Sequence, residues 1–387
     1  MSDLLTRRDL LKATSALAAG LFVGPSLLAG CRAGRSATGA EAEAAPEEEL
    51  PGHRCEFFEQ LPGKKIKCKT CPRECVVGDR ERGFCGSREN RGGVYYTLVY
   101  GRAAALNLDP IEKKPLFHFL PGSGALSIGT AGCNMDCKDC QNWELSQRRP
   151  EQVQRNADLP PEKLAALAQR NGAPVLAYTY TEPVTFYEYM HDAAKVGRAR
   201  GLKSVMISNG YIQAEPMKQV CQVLDAVKVD LKSFRPDFYV KYCRGTLPPV
   251  LETIKLVHKL GKWLELVYLV VPTLNDKSSE IAEMCRWIKK TIGPDVPLHF
   301  SRFSPEYQLK NLPPTPYETL ERARRVARQE GLHYVYLGNV PGEEVASTVC
   351  PKCKRTIVRR NGFQVLSLDI AGGKCKFCGQ KIPGVWA

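Results

Sequence analysis

From Ala125 onward the chain alternates between two hydrophobic periods. Short apolar runs rich in β-branched and aromatic residues predict strands: "ALSIGT" (125–130), "PVLAYTY" (174–180), "KSVMIS" (203–208), "DAVKVDL" (225–231), "WLELVYLVVPT" (263–273), "PLHFSRF" (297–303) and "HYVYLGN" (333–339). Between them lie stretches with helical spacing, at 160–172, 184–201, 214–224, 250–261, 279–293 and 316–331. The first has proline at its start and glycine past its end, which are helix boundary signals. Strand and helix in strict alternation imply βα units and a parallel sheet, hence an α/β fold. Six or seven units suggest a (β/α) barrel, partial or complete, over 101–345. An open doubly wound sheet is the alternative. No fixed-period repeat of the solenoid kind appears.

The first hundred residues follow other patterns. Arg7 and Arg8 precede an apolar run that is short for a membrane span and is interrupted by Gly24-Pro25. The arginine pair resembles a twin-arginine export signal, and Leu28-Ala29-Gly30-Cys31 resembles a lipobox in which Cys31 becomes lipidated. Residues 1–31 are therefore expected to be a signal, with an exported, membrane-anchored lipoprotein as the outcome and a cytoplasmic protein as the alternative. Residues 32–54, with "EAEAAPEEELPG", read as an acidic linker too poor in apolar residues to fold. The net charge of +14 on 387 residues reads as a dispersed, solvated basic surface, and no nucleic-acid motif accompanies it.

Sixteen cysteines change the picture. Disulfide frameworks belong to small secreted domains, so clustered C-x2-C pairs in a chain of this length read as metal ligands. Before the barrel, at 55–100, stand Cys68, Cys71, Cys75 and Cys85; zinc and an auxiliary iron–sulfur cluster are both open for them. After it, at 346–387, Cys350, Cys353, Cys375 and Cys378 form two C-x2-C knuckles of zinc-ribbon type. Zinc is expected there, with rubredoxin-like iron as the alternative. Cys55, Cys221, Cys243 and Cys285 fall outside any array and read as bystander thiols. Between the flanking segments, Cys133, Cys137 and Cys140 form a C-x3-C-x2-C array of three. Closed zinc and ordinary cluster sites use four thiolates, so three imply an open coordination position.

Catalytic groups in parallel barrels sit at the C-terminal ends of strands. The three-cysteine loop follows the first predicted strand, and Glu182 of "TYTEP" the second. Asn209 of "SNGY" follows the third, Asp230 and Lys232 end the fourth, and His299 and Arg302 lie on the sixth. Each alone reads as a cap or a satisfied polar group. Their recurrence at one end points to a site.

These residues resemble the radical S-adenosylmethionine (SAM) enzymes. The segments "DPIEKKPLFHFLPG", "SIGTAGCNMDCKDCQNWELSQ", "AYTYTEPVTFYEY", "VDLKSF" and "HFSRFSPEY" resemble in particular the AmmeMemoRadiSam-system enzymes, relatives of the pyruvate formate-lyase activating enzymes. The resemblance implies a [4Fe–4S] cluster on Cys133, Cys137 and Cys140 whose fourth iron takes SAM. It implies reductive cleavage to a 5′-deoxyadenosyl radical that abstracts hydrogen from a protein or small molecule. It places the SAM amino group at Glu182, where a carboxylate suits a charge-assisted bond. It offers Asn209 and Asp230 for the ribose or methionine part, Lys232 or Arg302 for the carboxylate, and Trp143 as a cover over the cluster. The implied partners are a flavodoxin- or ferredoxin-like electron donor and Memo-like and AMMECR-like proteins. The reading from a different class is an exported iron–sulfur electron carrier or partner-binding protein without SAM chemistry; such a protein would need a fourth ligand and no Glu182.

Overall fold

In a computed structural model of the chain, which describes residues 50–154 and 156–386, the predicted alternation is realised. Arg7, Arg8 and Cys31 lie outside the described residues. Seven parallel strands, β2 (Gly124–Gly129), β3 (Val175–Tyr178), β4 (Lys203–Ser208), β5 (Ala226–Asp230), β6 (Trp263–Val270), β7 (Leu298–Arg302) and β8 (Val335–Gly338), pair in sequence order. A doubly wound sheet reverses its strand order at a switch point. This one never reverses, which is the winding of a barrel.

The sheet is nonetheless open. An antiparallel strand, β1 (Ala105–Pro110), closes one edge against β2, with Leu106 opposite Ile128, and the other edge ends at β8. Among the described residues β1 and β8 are not paired, so the barrel is partial. Strand β1 escapes the sequence pattern because "ALNLDP" at an edge is half exposed and carries little apolar periodicity.

Helices α1 (Pro161–Arg170), α2 (Tyr187–Ala199), α3 (Ala214–Cys221), α4 (Leu247–Lys259), α5 (Ser278–Ile292) and α6 (Tyr317–Gln329) connect the strands. Each buries one stripe. In α5 it is Ile281, Met284, Cys285, Ile288 and Ile292, the spacing of a single helical face. Each such side chain removed from water contributes ~1.5–3 kcal/mol. Two boundaries moved for local reasons. Helix α4 begins at Leu247 because Pro248 and Pro249 fall in its first turn, where no intrahelical N–H is needed. Helix α2 begins only at Tyr187, because Pro183–Phe186 forms a tighter turn capped by Glu182.

Both flanking segments are tied to this core by buried arginines. Arg88, in a small antiparallel sheet with Val94–Thr97, donates to Glu188 of α2 at 2.7 and 2.9 Å. Arg360, in the C-terminal strand Thr356–Asn361, reaches the carbonyl of Phe117 at 2.6 Å and lies 3.4 Å from Glu112. Both arginines are at most 2% exposed. Unpairing such a buried charge is strongly unfavourable, so these contacts fix where each cysteine segment docks.

Candidate functional site

The C-terminal ends of the parallel strands open into one cleft of about 1360 Å³, open solvent at its mouth included. Cys133, Cys137 and Cys140 line it, and so do Glu182, Asn209, Asp230 and Lys232. The strand-end residues of the sequence pattern thus converge, with two exceptions. Arg302 does not line the cleft; its Nε donates to the carbonyl of Thr315 at 2.9 Å. His299 also stands apart from the strand-end group. It is buried with Nε2 2.7 Å from Glu265, whose carboxylate also accepts from the backbone of Phe117 and His118. Trp143 is likewise absent from the lining and stacks on Tyr307 at 5.3 Å.

The three cysteines occupy the loop after β2. That loop is held from below by residues 239–245, where a π-turn (Tyr239–Cys243) ends in left-handed Arg244. Asp136 and Lys138 donate backbone N–H groups to the carbonyls of Cys243 and Tyr242 at 3.1 and 2.9 Å. The Cys243 thiol lies beside Cys137, so a residue read as a bystander stands next to the loop's central cysteine. Cys243 and burial raise Cys137; burial first, then the neighbouring Cys137, raises Cys140 to about 11. The free site therefore carries thiols, and binding iron must release their protons.

Glu182 follows the left-handed Tyr180 (φ 68°), which turns the chain out of β3. Its Oε1 accepts from Ser208 Oγ at 2.7 Å and from Val184 N at 3.2 Å, and its Oε2 from Asn209 N at 2.8 Å. The capping role and the site role coexist, because a carboxylate has about four acceptor positions and three are used. Burial raises Glu182 to about 7. Asn209 is committed to structure: its Nδ2 donates to Asn134 of the cysteine loop and its Oδ1 accepts from Tyr211 N.

Asp230 is clamped by two lysines on its own strand face. Lys228 and Lys232 both donate to it, the latter at 3.3 Å. Burial pulls Lys228 down, whereas Asp230, acting against burial, holds Lys232 above its ordinary value. Sequence reasoning missed Lys228, although the period of two along "KVDLK" places 228, 230 and 232 on one face. It also missed the opposite wall. There Asp109 accepts from Lys113, Lys114 and Tyr180 at 3.0, 2.6 and 2.7 Å, bringing β1 to the cleft. Despite burial, these donors, Lys114 foremost, bring Asp109 down to about 2. The cleft is thus lined by cations and by the carboxylates of Asp139, Asp230 and Glu182, the last with a spare acceptor position, beside three thiols.

A separate four-cysteine group lies at the C-terminal strands. Cys350 and Cys378 sulfurs are 3.6 Å apart, and those of Cys353 and Cys375 are 3.8 Å apart. A single tetrahedral ion with metal–sulfur bonds of ~2.3 Å requires sulfurs ~3.8 Å apart. The donor set fits one such ion. Asp, Glu and His side chains do not complete any comparable group: among the described residues no other set of three or more ligand atoms lies within 4.8 Å of one another.

Residues 127–288 match the family model for the radical SAM superfamily. The chain is 46% identical over 328 residues to an uncharacterized protein of Methanocaldococcus jannaschii, covering 84% of this chain and 97% of that protein. A domain of a pyruvate-formate lyase-activating enzyme from Bacteroides vulgatus aligns at 14% identity with a TM-score of 0.38, over 42% of this chain and 98% of that one. A radical SAM methyltransferase from Sphaerobacter thermophilus aligns at 14% identity with a TM-score of 0.44, over 57% and 68%.

Proposed function

The chain belongs to the radical SAM superfamily, and on that premise we propose that Cys133, Cys137 and Cys140 hold a [4Fe–4S] cluster and that Glu182 binds the amino group of SAM. The observation that carries this reading is the meeting of three thiols and a carboxylate with one spare acceptor position in the same cleft. When bound, the cluster and SAM together supply a 5′-deoxyadenosyl radical for hydrogen abstraction. The protein's part is to bind, orient and shield. Lys232 offers its ammonium to the SAM carboxylate, with Asp230 holding that ammonium in place. Asn209 aligns the cysteine loop with β4 through Asn134. Lys114 and Tyr180, both held by Asp109, face the remaining space and offer a cation and a ring to the substrate.

The motifs quoted above support a glycyl-radical-activating-like member of the AmmeMemoRadiSam type. They support a flavodoxin- or ferredoxin-like donor and Memo-like and AMMECR-like partners. We place zinc at Cys350, Cys353, Cys375 and Cys378 in a structural role. The paired arginines and the lipobox-like stretch support export and anchoring through Cys31. Fractionation of cells expressing wild type and Arg7→Lys/Arg8→Lys tests that: the wild type is expected with membranes, and intact wild type in the cytoplasm would refute export.

The reconstituted protein, reduced by dithionite without oxygen, is expected to release 5′-deoxyadenosine from SAM. No product would remove the reading. Glu182→Gln is expected to weaken SAM binding by ~1.5–3 kcal/mol, the worth of a hydrogen bond to a charged group. The pH dependence follows from burial. Because Glu182 titrates at about 7 in the free protein, it is ionised above that pH and neutral below. Only the ionised form is the charged acceptor, so wild-type affinity is flat above pH 7 and falls as pH drops through it, by up to about tenfold per unit. The Gln variant is expected to lack this dependence. Equal affinities and equal pH profiles would remove Glu182 from the site.

A further inference from the structure

Cys68, Cys71, Cys75 and Cys85 line a second pocket, of about 320 Å³, outside the cleft. Cys68 ends the strand Lys65–Cys68, and its N–H donates to the Cys75 carbonyl at 2.9 Å; Cys71 lies in the turn between them. Cys85 comes from the turn before the strand Arg88–Arg91. Two hairpins therefore bring the four thiols together, Cys68 and Cys71 buried and the other two half-buried.

We propose that this quartet binds a second [4Fe–4S] cluster, fully ligated by cysteine, directly beside the three-cysteine loop. Spacing decides between the two metals that the sequence leaves open. A single zinc needs sulfurs ~3.8 Å apart, and the C-terminal quartet has them at 3.6 and 3.8 Å. In the N-terminal quartet no three ligand atoms lie within 4.8 Å of one another, although all four residues face one pocket. In a cubane each thiolate binds a different iron, so its sulfurs stand wider apart, at about 6 Å. Cys133, Cys137 and Cys140 likewise do not form a group with all three sulfurs within 4.8 Å of one another.

The surroundings suit an anionic cluster. Arg73 and Arg88 line the pocket, and Ser87 Oγ donates to Cys85 Sγ at 3.4 Å. The two cysteine sites also share a wall. A Cβ on Gly132 would stand 2.5 Å from the Cys85 carbonyl, so the quartet's loop presses on the residue before Cys133. Gly132 has φ 93°, which favours glycine there as well. Asn134 lines the second pocket while its side chain binds Asn209 at the cleft, and Arg73 Nε donates to the Asn134 carbonyl. With four thiolates no iron is left open for SAM, which restricts such a cluster to holding and passing single electrons.

Iron and sulfide counts on the full chain, reconstituted anaerobically, test the proposal. Wild type is expected to hold about eight irons and eight sulfides, two cubanes' worth. About four irons with an additional zinc would overturn it. The variant Cys133→Ala/Cys137→Ala/Cys140→Ala is expected to keep about four irons, with an electron paramagnetic resonance signal after reduction that SAM does not alter. An iron-free triple variant would overturn the proposal as well. That variant reports on the quartet without the catalytic triad, so failure here is distinguishable from failure of the SAM reading.

Discussion

Cys137→Ala is expected to abolish 5′-deoxyadenosine release and the SAM-sensitive part of the reduced electron paramagnetic resonance signal. Three thiols are the minimum that leaves a cubane one open corner, and Cys137 is the middle one, anchored by the backbone bonds of Asp136 and Lys138 to Cys243 and Tyr242. Losing an outer-shell partner of a metal typically costs ~10–100-fold. Losing a ligand should exceed that and reduce activity to the metal-free background. The Cys243 thiol beside Cys137 provides a control. Cys243→Ala alone is expected to retain cleavage, and Cys137→Ala/Cys243→Ala excludes a swap of ligand. Substantial SAM cleavage by that double variant would refute the three-cysteine assignment.

Cys350→Ser is expected to remove one zinc and open the C-terminal segment, while the SAM-sensitive signal survives. The strands Thr348–Val349, Thr356–Asn361 and Gln364–Leu368 enclose a small apolar cluster around Ile357, Val358, Ile370 and Ile382. That cluster also takes in Phe117, Tyr334 and Tyr336 of the barrel side, and binding at structural zinc sites contributes ~10 kcal/mol or more of apparent folding energy in small domains. Metal analysis, thermal melting and limited proteolysis read the change. The cut sites are expected after residue 346. Part of the segment's attachment is independent of metal, since Arg360 remains paired with Glu112 and His118 Nδ1 lies 2.8 Å from the Pro383 carbonyl. The barrel, with its own larger apolar core, should melt later than the zinc-dependent part of the segment. Unchanged zinc content and melting temperature in Cys350→Ser would refute a structural site. Loss of SAM cleavage in a variant that still folds normally would point to a redox role instead.

Much of this architecture was legible in the chain itself. The switch between periods of two and 3.6 located seven strands and six helices, because burial of a sheet face and of a helix stripe is written locally. The spacing of Cys133, Cys137 and Cys140 likewise raised the expectation of an open metal site, since ligand count is a property of the loop alone. Strand ends pointed to Glu182, Asn209, Asp230 and Lys232, all of which line the cleft. What the sequence left open depended on contacts between distant segments. His299 and Arg302 share a strand with the site, yet their side chains are taken by Glu265 and Thr315, from other elements. Cys243 meets Cys137 across more than a hundred residues, and Asp109 reaches Tyr180 only because β1 pairs antiparallel to β2. The arrangement of the two outer quartets followed the same division. Sequence spacing sets how close neighbouring thiols can come, but the separation between the two halves of each quartet is decided by how successive hairpins pack against each other.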